Sequence, residues 1–185
     1  MYSDIVVIGA GASGLMAAYS AARTLVDAGS SAQLTLLEKM PRAGRKIMIT
    51  GKRRCNFCNI KDWNSFGSHI RSNPNFIKPS FFNFTPENSV AFFESLGMPV
   101  VVERGDRAYP ASYRSGDVVD ALVRACHSLG VKIETEVEVK EIKLDEERFI
   151  ISSVLDSKYN CDKLIIATGG LSYPNSGSTG DGYAF

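Results

Sequence analysis

Asp4-Ile5-Val6-Val7-Ile8-Gly9-Ala10-Gly11-Ala12-Ser13-Gly14 is an apolar strand that runs straight into a glycine turn, and this stretch decides the fold. Small residues follow in a helical pattern. Gln33-Leu34-Thr35-Leu36-Leu37 then reads as a second apolar strand that ends on Glu38. Strand, glycine turn, helix, strand and acid together make a half-site for the ADP part of a dinucleotide. Gly9 permits the tight turn, and Gly11 lets the backbone approach a pyrophosphate. Gly14, helped by Ala18 one turn on, lets the helix lie close to the sheet. The pyrophosphate then sits on the free N–H groups and positive dipole end of the helix. Glu38 stands 24 residues after Gly14, near the ~20-residue spacing of an acid that accepts ribose hydroxyls. Glycine triplets occur by chance in loops. This one lies between strand and helix and is completed by the acid, which a plain structural turn does not require.

The chain has 185 residues, enough for one domain with a sizeable core. Its 21 basic and 20 acidic residues give no global positive field, which argues against nucleic acid as a partner. A local basic run of Arg42, Arg45, Lys46, Lys52, Arg53 and Arg54 follows the half-site directly. It reads as a clamp for a phosphate-bearing ligand, with a solvated loop as the plain alternative. Residues 5–22 carry no formal charge, but three glycines, two serines, a tyrosine and the preceding Asp4 fit the half-site rather than a leader or membrane anchor. A cytoplasmic protein without a membrane partner is expected. Cys55-Asn56-Phe57-Cys58 is a single CxxC, and His69 and His127 stand alone, so no metal site is expected. The two thiols read as a redox dithiol or as reduced cysteines, one of them lining a ligand site.

Along the chain, periodicity predicts a helix over residues 13–28 stopped by Gly29, then mostly loop over 39–59. Trp63, Phe66, Phe76, Phe81, Phe82 and Phe84 mark an irregular stretch, read as core packing of short helices rather than ligand stacking. Thr85 caps a helix with Pro86 in its first turn; a short strand follows at 100–103 and a turn or strand end at 107–110. Ser115 is expected to cap a further helix that Gly130 stops. The period then changes to alternation, with strands at 131–134, 137–143 and 149–154 read as a returning parallel strand and a small antiparallel meander. Lys163-Leu164-Ile165-Ile166-Ala167-Thr168-Gly169-Gly170 is another buried strand ending in small residues. Such an end lets the backbone approach a cofactor at the switch point of a parallel sheet, and its pairing with the first half-site favours FAD over a simple nicotinamide enzyme.

Three segments together resemble the bacterial NAD(P)/FAD-dependent oxidoreductases known as BaiN-like or aminoacetone-oxidase-like flavoproteins. They are the glycine turn through Glu38-Lys39, then Gly44-Arg45-Lys46-Ile47 to Gly51 and Arg54-Cys55-Asn56, then Ala167-Thr168-Gly169-Gly170-Leu171-Ser172-Tyr173-Pro174 through Gly177-Ser178-Thr179-Gly180-Asp181-Gly182-Tyr183. Fumarate-reductase-type flavoproteins are the nearest competing family. The resemblance implies an α/β, Rossmann-like FAD-binding domain over residues 1–185, with helices on both faces of a parallel sheet plus the meander, C-terminally incomplete before a substrate domain. It implies non-covalent FAD, with NAD(P)H as electron donor and a small-molecule acceptor. Gly9, Gly11, Ala12, Ser13 and Gly14 would line the pyrophosphate, Glu38 the adenosine ribose and Lys39 the rim of the adenine site. Gly44, Arg45 and Lys46 would wrap the pyrophosphate and ribityl region, with Arg54, Cys55 and Asn56 nearer the isoalloxazine. Val137 would contact adenine, and Thr168 and Gly169 would close over the cofactor.

Two departures from the family pattern stand out. Lys52 and Arg53 occupy a run that is usually glycine-rich, so they narrow the approach to the flavin or bind a phosphate of an incoming nicotinamide. Cys58 stands where a hydroxyl residue is common. Relatives also continue well past Phe185, which leads to the expectation of a truncated piece or a separate chain supplying the rest, an exposed apolar terminus and weakened FAD affinity. No catalytic acid or base is assigned; Cys55 and Tyr109 are candidates for which packing is the plainer role. A nicotinamide-binding dehydrogenase and a non-catalytic dinucleotide-binding fragment are the alternatives to a flavoenzyme.

Overall fold

The computed structural model describes all 185 residues. In chain order the elements are β1 (Ile5–Ile8), α1 (Ala12–Asp27), β2 (Leu34–Leu37), α2 (Arg45–Ile49), β3 (Cys58–Asn59), α3 (Trp63–Gly67), α4 (Pro74–Asn83), α5 (Pro86–Ser95), β4 (Val100–Glu103), β5 (Arg107–Pro110), α6 (Ser115–Ser128), β6 (Lys132–Glu134), β7 (Val139–Asp145), β8 (Arg148–Ser153), β9 (Lys158–Cys161) and β10 (Lys163–Ile166). They fall into two compact units. One comprises Met1–Ile47 with Leu122–Phe185, the other Met48–Ala121. No helix is long and apolar enough to cross a membrane.

The first unit is built on a four-stranded parallel sheet in the order β10-β1-β2-β6. Residues alternate sides along a strand, and the register pairs Val6 with Thr35 and Ile8 with Leu37. Val6, Ile8 and Leu37 therefore share one face, where they pack with Val139, Ile151, Tyr159 and Cys161. Val7 and Leu36 are left for the other face, against the buried side of α1: Gly14, Leu15, Ala18 and Ala22. The end of α6 lies on the same side, since the buried Cys126 thiol donates to the carbonyl of Leu15 at 3.5 Å. Two right-handed crossovers stepping in one direction across a sheet put both helices on one face.

The opposite face is covered by the antiparallel meander β7-β8-β9. The α/β class, the parallel sheet and the meander match the sequence reading, but strands stand on the second face where that reading places helices. Strand β9 was not foreseen: Lys158-Tyr159-Asn160-Cys161 is too short for its alternation to stand out. Helix α1 ends in a left-handed Gly29 (φ 64°) whose N–H donates to the carbonyl of Val26, the stop expected of that glycine.

The second unit carries the small sheet β3-β5-β4 and helices α3 to α5. Thr85 caps α5 as expected, in a capping box with Asn88. Ser115 does not cap α6. It is the first helical residue, and its hydroxyl donates to the carbonyl of Met48 at 2.8 Å. The stretch read as loop over 39–59 contains α2 and a 3-10 turn at Thr50–Arg53. Among the aromatic residues, Phe81 packs against Trp63 and Phe66, with ring centroids 5.2 and 5.3 Å apart. Helix α4 buries none of its residues, and Phe76 is 82% exposed, so the expected core role does not extend to it.

Candidate functional site

Residues 9–14 bridge the end of β1 and the start of α1. Gly9 has φ 99°, and a Cβ there would come within 2.6 Å of the carbonyl of Ala167, at the end of β10. A Cβ on Gly14 would overlap the carbonyl of Gly9. These two glycines are required by the protein's own packing. Gly11 is different: its φ of −77° suits any residue, and a Cβ there would meet nothing within 4 Å. The fold alone does not call for glycine at that position. The open space above it is where a ligand can approach the main chain.

Gly11 is the N-cap of α1 and supplies no side chain; no acidic residue occupies the first turn. The first N–H groups of a helix have no partner inside it, so Ala12 and Ser13, both exposed, present donors at the positive end of a 16-residue dipole. Such an uncapped helix N-terminus can hold an anion.

Glu38, at the tip of β2, is buried and aimed into the same crevice. One carboxylate oxygen accepts the N–H of Ala10 at 2.7 Å and the other that of Met40 at 2.9 Å. Each oxygen keeps a further lone pair, so these bonds orient the group and leave it able to accept from ribose hydroxyls. Gly44 donates its N–H to the carbonyl of Ala10 at 2.8 Å, and Val137 donates to the carbonyl of Glu38 at 2.9 Å. The loops after β1, β2 and β6 are thereby tied together around the helix N-terminus. Arg45 is exposed at the start of α2.

The stretch 177–182, beyond β10, folds over this crevice. Lys39 donates to Thr179 and forms an ion pair with Asp181 at 2.6 Å; Lys46 donates to the Ser178 hydroxyl at 2.6 Å. Gly182 donates its N–H to the Thr168 hydroxyl at 3.1 Å, and a Cβ on Gly169 would come within 2.8 Å of the Ser178 oxygen. Burial pushes the Asp181 carboxyl up, but the hydrogen bonds from Lys39 and Thr179 outweigh it and hold it below the ordinary aspartate value. Ser178, Thr179 and Asp181 lie in the motif at 177–183, where sequence alone gives them no role. Their partners on Lys39 and Lys46 lie more than a hundred residues away, so no local pattern reveals them. Leu171, Tyr173 and Tyr183 are exposed, whereas Phe185 packs against the core of the meander.

The structure thus brings Gly9, Gly11, Ala12, Ser13, Gly14, Glu38, Lys39, Gly44, Lys46, Val137, Thr168 and Gly169 together in the first unit. Arg54, Cys55 and Asn56 belong to the second unit. There the Arg54 guanidinium ion-pairs with Glu103 at 3.5 Å and lies over the rings of Tyr109 and Tyr113, 4.9 and 5.6 Å from their centroids. Cys55 is buried; burial raises its thiol, with a hydrogen bond from Thr50 acting the other way. A raised thiol is a poor nucleophile. The Asn56 amide nitrogen, in its satisfied orientation, donates to the carbonyls of Cys58 and Ala108. Tyr109 is buried under Arg54. Packing accounts for both catalytic candidates.

A parallel sheet, a glycine turn onto an uncapped helix and an acid at the next strand tip define a Rossmann-type nucleotide-binding domain. The chain belongs to the HI0933-like protein Rossmann domain family, whose model matches residues 3–185, so the resemblance to flavoprotein oxidoreductases holds. It is 34% identical over 178 residues to a 3-dehydro-bile acid delta(4,6)-reductase of Clostridium scindens, covering 96% of this chain and 42% of the relative. It is 30% identical over 185 residues to a ribosomal RNA dihydrouridine synthase of Haemophilus influenzae, covering 98% of this chain and 44% of the relative. The chain therefore spans less than half the length of these curated relatives. The second name also withdraws support from the charge-based exclusion of nucleic acid.

Among solved structures, a 3-ketosteroid-delta4-(5alpha)-dehydrogenase from Rhodococcus jostii superposes with a TM-score of 0.64 at 16% identity, over 93% of this chain and 47% of that one. An adenylylsulfate reductase from Archaeoglobus fulgidus gives 0.61 at 19% identity, over 93% and 31%. At these identities the likeness is one of fold.

Proposed function

We propose that this chain is the FAD-binding part of a flavin-dependent oxidoreductase that moves hydride between NAD(P)H, FAD and a small-molecule acceptor. The observation that carries the reading is Gly11: a glycine the fold does not need, facing open space, at the uncapped N-terminus of α1 and one residue from the Glu38–Ala10 bond. In this reading the N–H groups of Ala12 and Ser13 hold the pyrophosphate, and Glu38 takes the ribose hydroxyls. Lys39 and Val137 border the adenine, Gly44, Arg45 and Lys46 follow the pyrophosphate toward the ribityl chain, and Thr168 and Gly169 close over the cofactor. Arg54, Cys55 and Asn56 are assigned to the flavin side by the family resemblance. Bound FAD supplies the hydride chemistry, and the protein supplies binding, orientation and exclusion of water.

The C. scindens and H. influenzae relatives bear the names of a reductase and of a synthase of a dihydro base, both hydrogen-adding reactions on different acceptors. Acceptor choice is therefore assigned to segments outside this stretch, on a longer polypeptide or on a separate chain. Titration with FAD, followed by flavin absorbance and by mass identification of the bound nucleotide, tests the reading. Saturable FAD binding that NAD displaces poorly is expected. Binding of NAD in preference to FAD would replace the reading with a nicotinamide-binding dehydrogenase. Oxidation of NAD(P)H with FAD present separates a working half-reaction from a fragment that only binds.

A further inference from the structure

Between Gly51 and Cys55 the backbone holds four positive φ angles: Gly51 at 52°, Lys52 at 55°, Arg53 at 70° and Cys55 at 57°. Only glycine takes this conformation without steric cost. Two of the strained residues are long cations, both exposed, and neither side chain has a hydrogen bond or ion pair within the chain. Their neighbour Arg54 is anchored on Glu103, Tyr109 and Tyr113. The Arg54 and Cys55 N–H groups close back onto the carbonyls of Gly51 and Thr50, at 3.1 and 3.2 Å. The loop frame is thus fixed while two charges on it go unanswered. No acidic residue occurs in the sequence between Glu38 and Asp62 to neutralise them. Cys55, at a similar angle, is buried and held by packing, whereas Lys52 and Arg53 are exposed and have no packing to keep their side chains there; strain without packing points to a ligand contact.

We propose that Lys52 and Arg53 bind the phosphomonoester dianion of a second nucleotide substrate, the 2′-phosphate of NADPH. The inference rests on the flavoenzyme reading insofar as that reading names a nicotinamide electron donor. Two free positive charges match a phosphomonoester of about −1.5 to −2 at neutral pH, whereas each phosphodiester of a polynucleotide carries a single charge. Arg53 supplies a planar fork for two phosphate oxygens, and Lys52 a mobile point charge for the third. The 2′-phosphate is the group that separates NADPH from NADH, and an arginine is a common means of accommodating it.

The test is a calorimetric titration with 2′,5′-ADP and with ADP-ribose, which carries no phosphomonoester, at saturating FAD so that the ADP half-site is filled, on the wild type and on K52G/R53G. The wild type should prefer 2′,5′-ADP by about 10- to 100-fold, as expected for one or two charge-assisted contacts. The double variant should lose that preference while its denaturation midpoint stays level or rises, because glycine relieves the left-handed backbone. Equal affinities in the wild type, a preference that survives in the variant, or a lowered midpoint would overturn the proposal. So would tighter, Lys52- and Arg53-dependent binding of a single-stranded oligoribonucleotide, which would assign the cations to a polynucleotide. FAD titrated alone keeps the two readings apart. Absent flavin binding with an intact 2′,5′-ADP preference removes the flavoenzyme reading and leaves the phosphate site standing.

Discussion

The turn at residues 9–14 and the loop at residues 51–55 use difficult backbone in opposite ways. In the turn, side chains are gone wherever the chain is crowded or left-handed: Gly9 and Gly14 fit only as glycine, and Gly11 leaves open space. In the loop, Lys52, Arg53 and Cys55 keep their side chains at φ of 55°, 70° and 57°, at a cost of about 1–2 kcal/mol each. The turn exposes main-chain N–H groups at a helix end, which hold an anion through dipoles. The loop exposes ammonium and guanidinium tips, which hold one through net charge. The two segments thus offer an anion different parts of the residue, the main chain around Gly11 and the side chains at Lys52 and Arg53.

Substitution at Gly14 should have the largest effect. Gly14→Ala drives a Cβ into the carbonyl of Gly9, and overpacking against backbone should destabilise the first unit by about 3 kcal/mol or more. An unchanged denaturation midpoint would mean that strand and helix do not meet as described. Gly11→Val sharpens the contrast within the turn. The new side chain enters open space, so the midpoint should hold, while FAD affinity falls ~100-fold through two lost charge-assisted N–H contacts. If both quantities fall together, Gly11 has a structural role and the ligand argument fails.

Stability should move the other way in the loop. Without any ligand, K52G/R53G should gain about 1 kcal/mol net, the strain relieved less the extra unfolded-state entropy of glycine. A denaturant titration reads this directly, and a loss would show that the loop is not strained. The smallest expected effect concerns Asp181. Its folded-state value is depressed below 3.8, so its bond to Lys39 contributes fully above that pH and is lost as pH falls through the folded value. Loosening of residues 177–182, followed by hydrogen exchange as pH is lowered from about 4 through the depressed folded value, should therefore appear in the wild type and be absent from Asp181→Asn.

The β1–α1–β2 unit and the place of Glu38 were legible because periodicity, glycine placement and the terminal acid all point the same way over 35 residues. The helices after Thr85 and Ser115 were legible for similar reasons, although the Ser115 hydroxyl turned to a distant carbonyl that no local rule reveals. The two-residue strand β3 was not legible, since Cys58 and Asn59 acquire their state only from Ala108 and Arg107 opposite them. The left-handed angles at Lys52, Arg53 and Cys55 were hidden because no glycine marks those positions; only Gly51 carries the usual signal. Lys46 was readable as a cation near a phosphate and Lys39, through the family resemblance, as the rim of the adenine site, but their bonds to Ser178 and Asp181 depend on the tertiary fold. Short-range chemistry carried the crevice, and long-range contact decided what lies across it.

Amide chemical shifts in an isotope-labelled sample titrated with FAD test the central claim most directly, because the claim concerns main-chain N–H groups. The account predicts that the largest saturable shifts fall on Gly11, Ala12 and Ser13, with smaller ones at Ala10 and Met40 around the Glu38 carboxylate. Saturable binding that leaves those amides unmoved, or shifts confined to another part of the chain, would contradict it.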